Sequence, residues 1–120
     1  MINEYTAGQV DTRPWGYLTV IDTGPGFCVK RIRVAPGGIH SLHRHQHRAE
    51  NWVIVAGQAR VTDDGKVSEL VPGQTLTIKP GTVHRIANPG GSDLIFIEVQ
   101  TGQEIREGDI ERLEDAYGRI

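Results

Sequence analysis

What most restricts the fold of this chain is the brevity of its apolar runs. YLTVID (17–22), FCVKRIRV (27–34), WVIVAG (52–57), ARVT (59–62), VSELV (67–71), TLTIK (75–79), HRIA (84–87) and LIFIEV (94–99) are each rich in Val, Ile, Leu, Thr or aromatics and bounded by turn residues. Many short strands at near-regular spacing predict an all-β sandwich or barrel. DDGK (63–66) between two runs predicts a tight hairpin. In TLTIK, Leu76 and Ile78 are expected to face the core, with Thr75 and Thr77 outside. LIFIEV is almost continuously apolar and reads as a strand buried on both faces. One short C-terminal helix is expected in GDIERLEDAYG (108–118). Ile110, Leu113 and Ala116 or Tyr117 keep a three-to-four spacing there, Gly108-Asp109 caps its start, and Gly118 ends it.

With 120 residues, the chain predicts a single domain spanning 1–120. A net charge of −2 provides no basic field for nucleic acid or an anionic membrane. The lone Cys28 excludes an internal disulfide and fits a reducing compartment. There is no run of eighteen apolar residues, and the N-terminus lacks a basic start followed by an apolar stretch. A soluble cytoplasmic protein with no membrane and no nucleic-acid partner is expected.

GGIHSLHRHQHRAENW (37–52) holds four of the five histidines. On a strand, residues two apart share a face, so His43, His45 and His47 are expected on one side. Glu50 follows a short bend and adds a carboxylate. His84 opens a later strand after a Pro-Gly turn. Zinc, manganese, iron and cobalt all accept mixed imidazole and carboxylate ligands. HxH by itself is compatible with either a solvated polar edge or a metal site, and His84 by itself with a structural histidine.

The spacing of nine residues narrows the reading: Gly37, His43, His45, Glu50 and Gly57, then Gly73, Gly81, His84 and Asn88. It resembles both cupin motifs in order. That resemblance implies a double-stranded β-helix, or jelly-roll barrel, with His43, His45, Glu50 and His84 around one divalent metal. Lys79 stands where cupins usually place proline, and Pro80 comes one position later. RPWG (13–16), VKRI (29–32), HRAENWVIVAGQARVT (47–62), GTVHRIANPG (81–90), IEVQTG (97–102) and GDIERLEDAYGR (108–119) are similar to the C-terminal domain of type II mannose-6-phosphate isomerases, over about 13–119. In most of that family the domain follows a mannose-1-phosphate guanylyltransferase domain. No Gly-rich nucleotide signature opens this chain, so nucleotidyl transfer is not expected. The family commonly has Gln where this chain has His43, which moves the set toward that of iron, manganese and nickel cupins.

The resemblance implies interconversion of mannose 6-phosphate and fructose 6-phosphate through an enediol. Zinc is the first choice of metal, with manganese, iron, cobalt or nickel as alternatives. A proton-shuttling base is required, for which His47 is a candidate; its other reading is a rim or supporting histidine. A cation is required for the phosphate, for which Arg85, Lys30 and Arg31 are candidates. Only one of Lys30 and Arg31 can point inward, and Arg85 and Arg48 are ambiguous in facing. Trp15 and Trp52 are expected to pack in the core, Cys28 to be buried, and Asn88 to shape a turn. The alternatives are another metal-cupin enzyme of the iron or manganese dioxygenase type, or a non-catalytic sugar-binding or regulatory module. A homodimer is expected, because a single small barrel gains core by pairing.

Overall fold

The computed structural model describes residues 1–120. Thirteen strands follow one another: β1 (Ile2–Asn3), β2 (Val10–Arg13), β3 (Gly16–Gly24), β4 (Phe27–Val34), β5 (Leu42–His45), β6 (Arg48–Ala56) and β7 (Ala59–Asp63). Then come β8 (Lys66–Leu70), β9 (Thr75–Ile78), β10 (His84–Ala87), β11 (Leu94–Gly102), β12 (Glu104–Ile105), one 3-10 turn (Glu107–Asp109) and β13 (Ile110–Glu114). Six strands form one sheet in the order β2-β3-β4-β11-β6-β9, and five form a second in the order β13-β5-β10-β7-β8. The inner faces of the two sheets contribute to a single core, in which Ala59, Val61 and Ile86 of the smaller sheet join Leu18, Ile32, Trp52, Ile54 and Phe96 of the larger. No helix is long and apolar enough to cross a membrane.

The hairpin expected at 63–66 is present. Asp63 pairs with Lys66 across a two-residue turn in which Asp64 (φ 50°) and Gly65 (φ 81°) are both left-handed. Two consecutive positive φ values match the right-handed twist of the strands, and Asp-Gly accommodates them at little cost. Ile78 is buried, Leu76 is half-buried and Thr75 and Thr77 are exposed, in keeping with the alternation in TLTIK.

Two expectations are corrected. LIFIEV is not buried on both faces: Leu94, Phe96, Glu98 and Gln100 point inward, whereas Ile95, Ile97 and Val99 are only half-buried on the outer side. No α-helix forms in 108–118. Ile110–Glu114 is a strand that pairs with β5, and a register shift between Arg112 and Glu114 marks a bulge. The bulge adds a residue to the strand and breaks its period-two pattern. That leaves Ile110 and Leu113 with the spacing of a helix.

The registers stack the inward residues of the larger sheet in rows. Ile32, Phe96 and Ile54 form an apolar row across β4, β11 and β6. The next row is Lys30, Glu98 and Trp52, and the one after it is Cys28, Gln100 and Glu50. One end of the interior is therefore hydrocarbon and the other is ionisable. β1 pairs in parallel with β12, and beside this pair Tyr5 lies under Lys30, with Nζ 3.7 Å from the ring centre.

Candidate metal centre

β5 turns His43 and His45 inward by alternation, and both are buried. His84, at the start of β10, is the register partner of His43. A third imidazole thus arrives from a distant segment through strand pairing. The ring centres lie 4.9 Å (His43–His45), 4.5 Å (His43–His84) and 5.7 Å (His45–His84) apart. One ligand nitrogen from each lies within 4.8 Å of the others. Glu50 faces them from β6 in the opposite sheet, with its carboxylate oxygens 3.4 Å from His45 Nε2 and 3.6 Å from His84 Nε2.

Backbone acceptors orient each ring. Nδ1 of His43 is 2.8 Å from the Ser41 carbonyl oxygen, Nδ1 of His84 is 2.8 Å from that of Thr82, and Nδ1 of His45 is 3.2 Å from that of Asp109. A carbonyl only accepts, so the proton belongs on Nδ1 and the Nε2 lone pair is left free. Nε2 of His84 is buried with no hydrogen-bond partner. Burial, and then the neighbouring imidazoles His84 and His45, hold His43 well below the usual imidazole pKa. Burial takes His45 down to about 4. Both are therefore neutral at pH 7. Burial opposes the charge on His84, but the Glu50 carboxylate outweighs it and raises that pKa. Glu50 is itself buried, yet Arg48 and then the imidazoles His84 and His45 hold its pKa well below the carboxylate range.

Neutral imidazoles with fixed tautomers, an ionised carboxylate and an orphaned buried Nε2 fit a divalent cation of the zinc, iron or manganese kind. Arg48 Nη2 donates to His45 Nε2 at 3.2 Å, and Nε and Nη2 donate to Glu50 Oε2 at 3.1 and 3.0 Å. An arriving ion would take the His45 lone pair in exchange for one of these hydrogen bonds.

The centre lies in a cavity of about 630 Å³, counting its open mouth. Of the cations suggested by the sequence, Lys30 is buried and lines this cavity. Arg31, its neighbour on β4, is exposed on the outer face. Arg85 is turned outward, donating to the His40 carbonyl at 3.0 Å and reaching Glu114 at 3.4 Å. His47 does not share the face of His43 and His45. The chain bends after His45, and the side chain of His47 is 46% exposed outside the cavity, between Asp109 (2.9 Å) and Glu104 (3.0 Å).

Several cavity residues were not singled out from the sequence. Glu98 accepts from Trp52 Nε1 at 2.9 Å and from Gln100 Nε2 at 2.8 Å. Burial and then the charge of Glu50 push its carboxyl up to about 7. Burial lowers the pKa of Lys30, its register partner. His40 stacks on Trp15 with ring centres 4.0 Å apart. The signal for Glu98 and Gln100 was the alternation itself, continued from Phe96 onward; the same alternation, carried from Ile54 back through Glu50, settles the inward facing of Arg48. Trp15, Trp52 and Cys28 are buried, and Asn88 braces a turn by donating to Val34 and Ser92 and accepting from Gly90.

Comparisons with known proteins agree with this architecture. The family model described as "Mannose-6-phosphate isomerase C-terminal" matches residues 2–115. The alginate biosynthesis protein AlgA of Pseudomonas aeruginosa is 51% identical over 107 residues, which cover 89% of this chain and 22% of that protein. The mannose-1-phosphate guanylyltransferase ManC of Salmonella typhimurium is 47% identical over 108 residues, covering 90% of this chain and 22% of the relative. The chain thus spans about a fifth of the length of these relatives. A Klebsiella pneumoniae protein with a double-stranded β-helix domain superposes with a TM-score of 0.71 at 23% identity, covering 94% of this chain and 86% of the other. The fold is a cupin-type double-stranded β-helix.

Proposed function

The chain belongs to the mannose-6-phosphate isomerase C-terminal family, and we propose that it is a metal-dependent aldose–ketose isomerase that interconverts mannose 6-phosphate and fructose 6-phosphate. The observation that carries this reading is the convergence of His43, His45 and His84 on one point, with Glu50 beside them, in the wall of an open cavity. These four residues would hold the ion, with zinc as first choice. Bound there, it would supply Lewis acidity that polarises the sugar's carbonyl and hydroxyl oxygens.

The chain's own residues account for the rest. Arg48 lines the cavity, is fixed by Glu50 and keeps an unpartnered buried Nη1, a cationic group for an oxygen that gains negative charge. Glu98 is a carboxylate within the cavity, one row from Glu50, and is the group we assign to carry the proton between C1 and C2. Trp52 Nε1 and Gln100 Nε2 each hold one of its oxygens in place. Lys30 balances its charge from the facing position on β4. His47 lies outside the cavity and has no part in this scheme.

A coupled assay that forms mannose 6-phosphate from fructose 6-phosphate tests the proposal, run on stripped protein and on protein reloaded with each divalent metal. Turnover that returns with metal supports it, and no turnover with any metal retires it. His43 favours a second reading, because a three-histidine, one-glutamate set also suits iron. Stoichiometric iron with oxygen uptake would select that reading, and stoichiometric zinc would reject it.

A further inference from the structure

Five buried side-chain polar atoms in the chain lack a hydrogen-bond partner: His40 Nε2, Arg48 Nη1, His84 Nε2, Gln100 Oε1 and Arg112 Nε. All five residues line the same cavity. Buried polar groups without partners are rare because each forfeits its hydration. Their concentration in one place describes a ligand rather than a packing error. His84 belongs to the metal set. Arg48 is neutralised by Glu50 at 3.0 Å. Arg112 is different: it makes no salt bridge and no side-chain hydrogen bond, although its Nε is out of reach of water.

Strand register explains where Arg112 points. On β13 it is the Cα partner of His43 on β5, and Ile110 is the partner of His45. Cross-strand partners share a face, so the guanidinium projects into the cavity beside the imidazoles. Two further arginines line the same cavity from other segments, each with its own counter-ion. Arg13 is 3.3 Å from Glu107, and Arg119 is held by Asp115 at 2.7 Å. Arg119 reaches this position because the C-terminal segment folds back, and the Tyr117 hydroxyl accepts from the Ile39 amide at 3.2 Å. Among these arginines, Arg112 is the one with no carboxylate oxygen within 4.0 Å.

We infer that Arg112 binds the phosphate of the substrate, with Arg13 and Arg119 adding positive potential around it, so that the phosphate site is built from β13 and not from Lys30, Arg31 or Arg85. The assignment of the anion as a sugar's phosphate rests on the isomerase reading; the anion site itself does not. A guanidinium fork matches a phosphate's oxygens in a bidentate way that an ammonium does not. The ligand's hydroxyls then have Gln100 Oε1 and His40 Nε2 as further partners.

The test compares zinc-loaded wild type with R112Q, using calorimetric binding of mannose 6-phosphate, mannose and inorganic phosphate together with the isomerase assay. R112Q is expected to weaken mannose 6-phosphate and phosphate binding by at least about tenfold, with mannose affinity and zinc content unchanged and R112K intermediate. Isomerase turnover in wild type with an unaltered KM in R112Q would overturn the site and leave the isomerase reading standing. Phosphate binding lost in R112Q from a wild type that turns over no sugar phosphate would do the reverse. Phosphate held by the metal alone would leave R112Q equal to wild type and overturn the inference. Should R112Q fail to fold, amide NMR of the zinc-loaded wild type decides. Resonances of 110–114 should move with mannose 6-phosphate and not with mannose, and equal movement with both overturns the site.

Discussion

The interior of this barrel is divided into two regions that obey different rules. At one end Ile32, Phe96 and Ile54 lie side by side, and Val61 and Ile86 meet them from the smaller sheet. At the other end the same strands carry Lys30, Glu98 and Glu50, facing His43, His45 and His84. The same strands serve both ends: β11 runs without interruption from Phe96 to Glu98, and the one register shift between β11 and β6 falls before Phe96. The apolar end is non-directional and stabilises by area removed from water. The polar end depends on individual atoms, and it alone contains buried groups without partners. Stability is therefore concentrated at one end of the strands and chemistry at the other.

That division predicts substitutions that separate stability from metal binding. H84A should abolish stoichiometric zinc binding and lower isomerase turnover by more than about a hundredfold, beyond the loss from disturbing a ligand's supporting partner. Elemental analysis and the coupled assay measure both. F96A should destabilise by about 3–5 kcal/mol in denaturant unfolding, leaving zinc stoichiometry intact below the transition. If F96A also loses zinc, the two ends are one cooperative unit and the division fails.

A pH series sharpens the comparison from the polar side. In metal-free protein the pKa of His40 is taken down to about 3 and that of His45 to about 4, both mainly by burial, and His43 is also lowered. As pH falls below the ordinary imidazole value near 6.5, the unfolded chain gains protons at these positions before the folded chain does. Their contribution is therefore complete above about 6.5 and is lost as pH falls toward 4 and 3. The raised pKa values of His84 and Glu98 act in the opposite sense, favouring the folded state at low pH and losing that contribution as pH rises. The lowered His40, His43 and His45, joined below the carboxylate range by the lowered Glu50, are expected to outweigh them, so the melting temperature of stripped protein should drop between pH 7 and pH 4, and a flat profile would contradict the buried, neutral imidazoles. The smallest effect is expected outside both regions. R60A removes an ion pair with Glu69 whose partners are 54% and 55% exposed, and should cost less than about 1 kcal/mol.

The sequence revealed most of the longer strands and the four candidate ligands for the same reason: both follow from alternation with a period of two. His43, His45, Glu50 and His84 could be placed together because turn glycines and motif spacing located them on separate strands. Sequence reasoning failed wherever the period breaks. The bend after His45 carries His47 out of the cavity, and the bulge beside Arg112 disguises β13 as a helix. The misreading of β13 concealed Arg112, whose position depends on pairing with His43 across the sheet. Glu98 was hidden differently, since LIFIEV looks too apolar to contain a cavity residue until its two faces are separated.

The acceptors that orient the three rings are peptide oxygens, those of Ser41, Thr82 and Asp109. No point substitution can delete a main-chain carbonyl. Ring orientation at His84 is thereby insulated from side-chain drift at position 82, whereas the Ser41 hydroxyl also reaches His43 Nδ1 at 2.9 Å and the Asp109 carboxylate holds the amides of Gln46 and His47; all three rings are vulnerable to whatever reroutes the chain, such as a one-residue deletion in the loops before β5 and β10. For anyone rebuilding this pocket toward another sugar, loop lengths should be left alone.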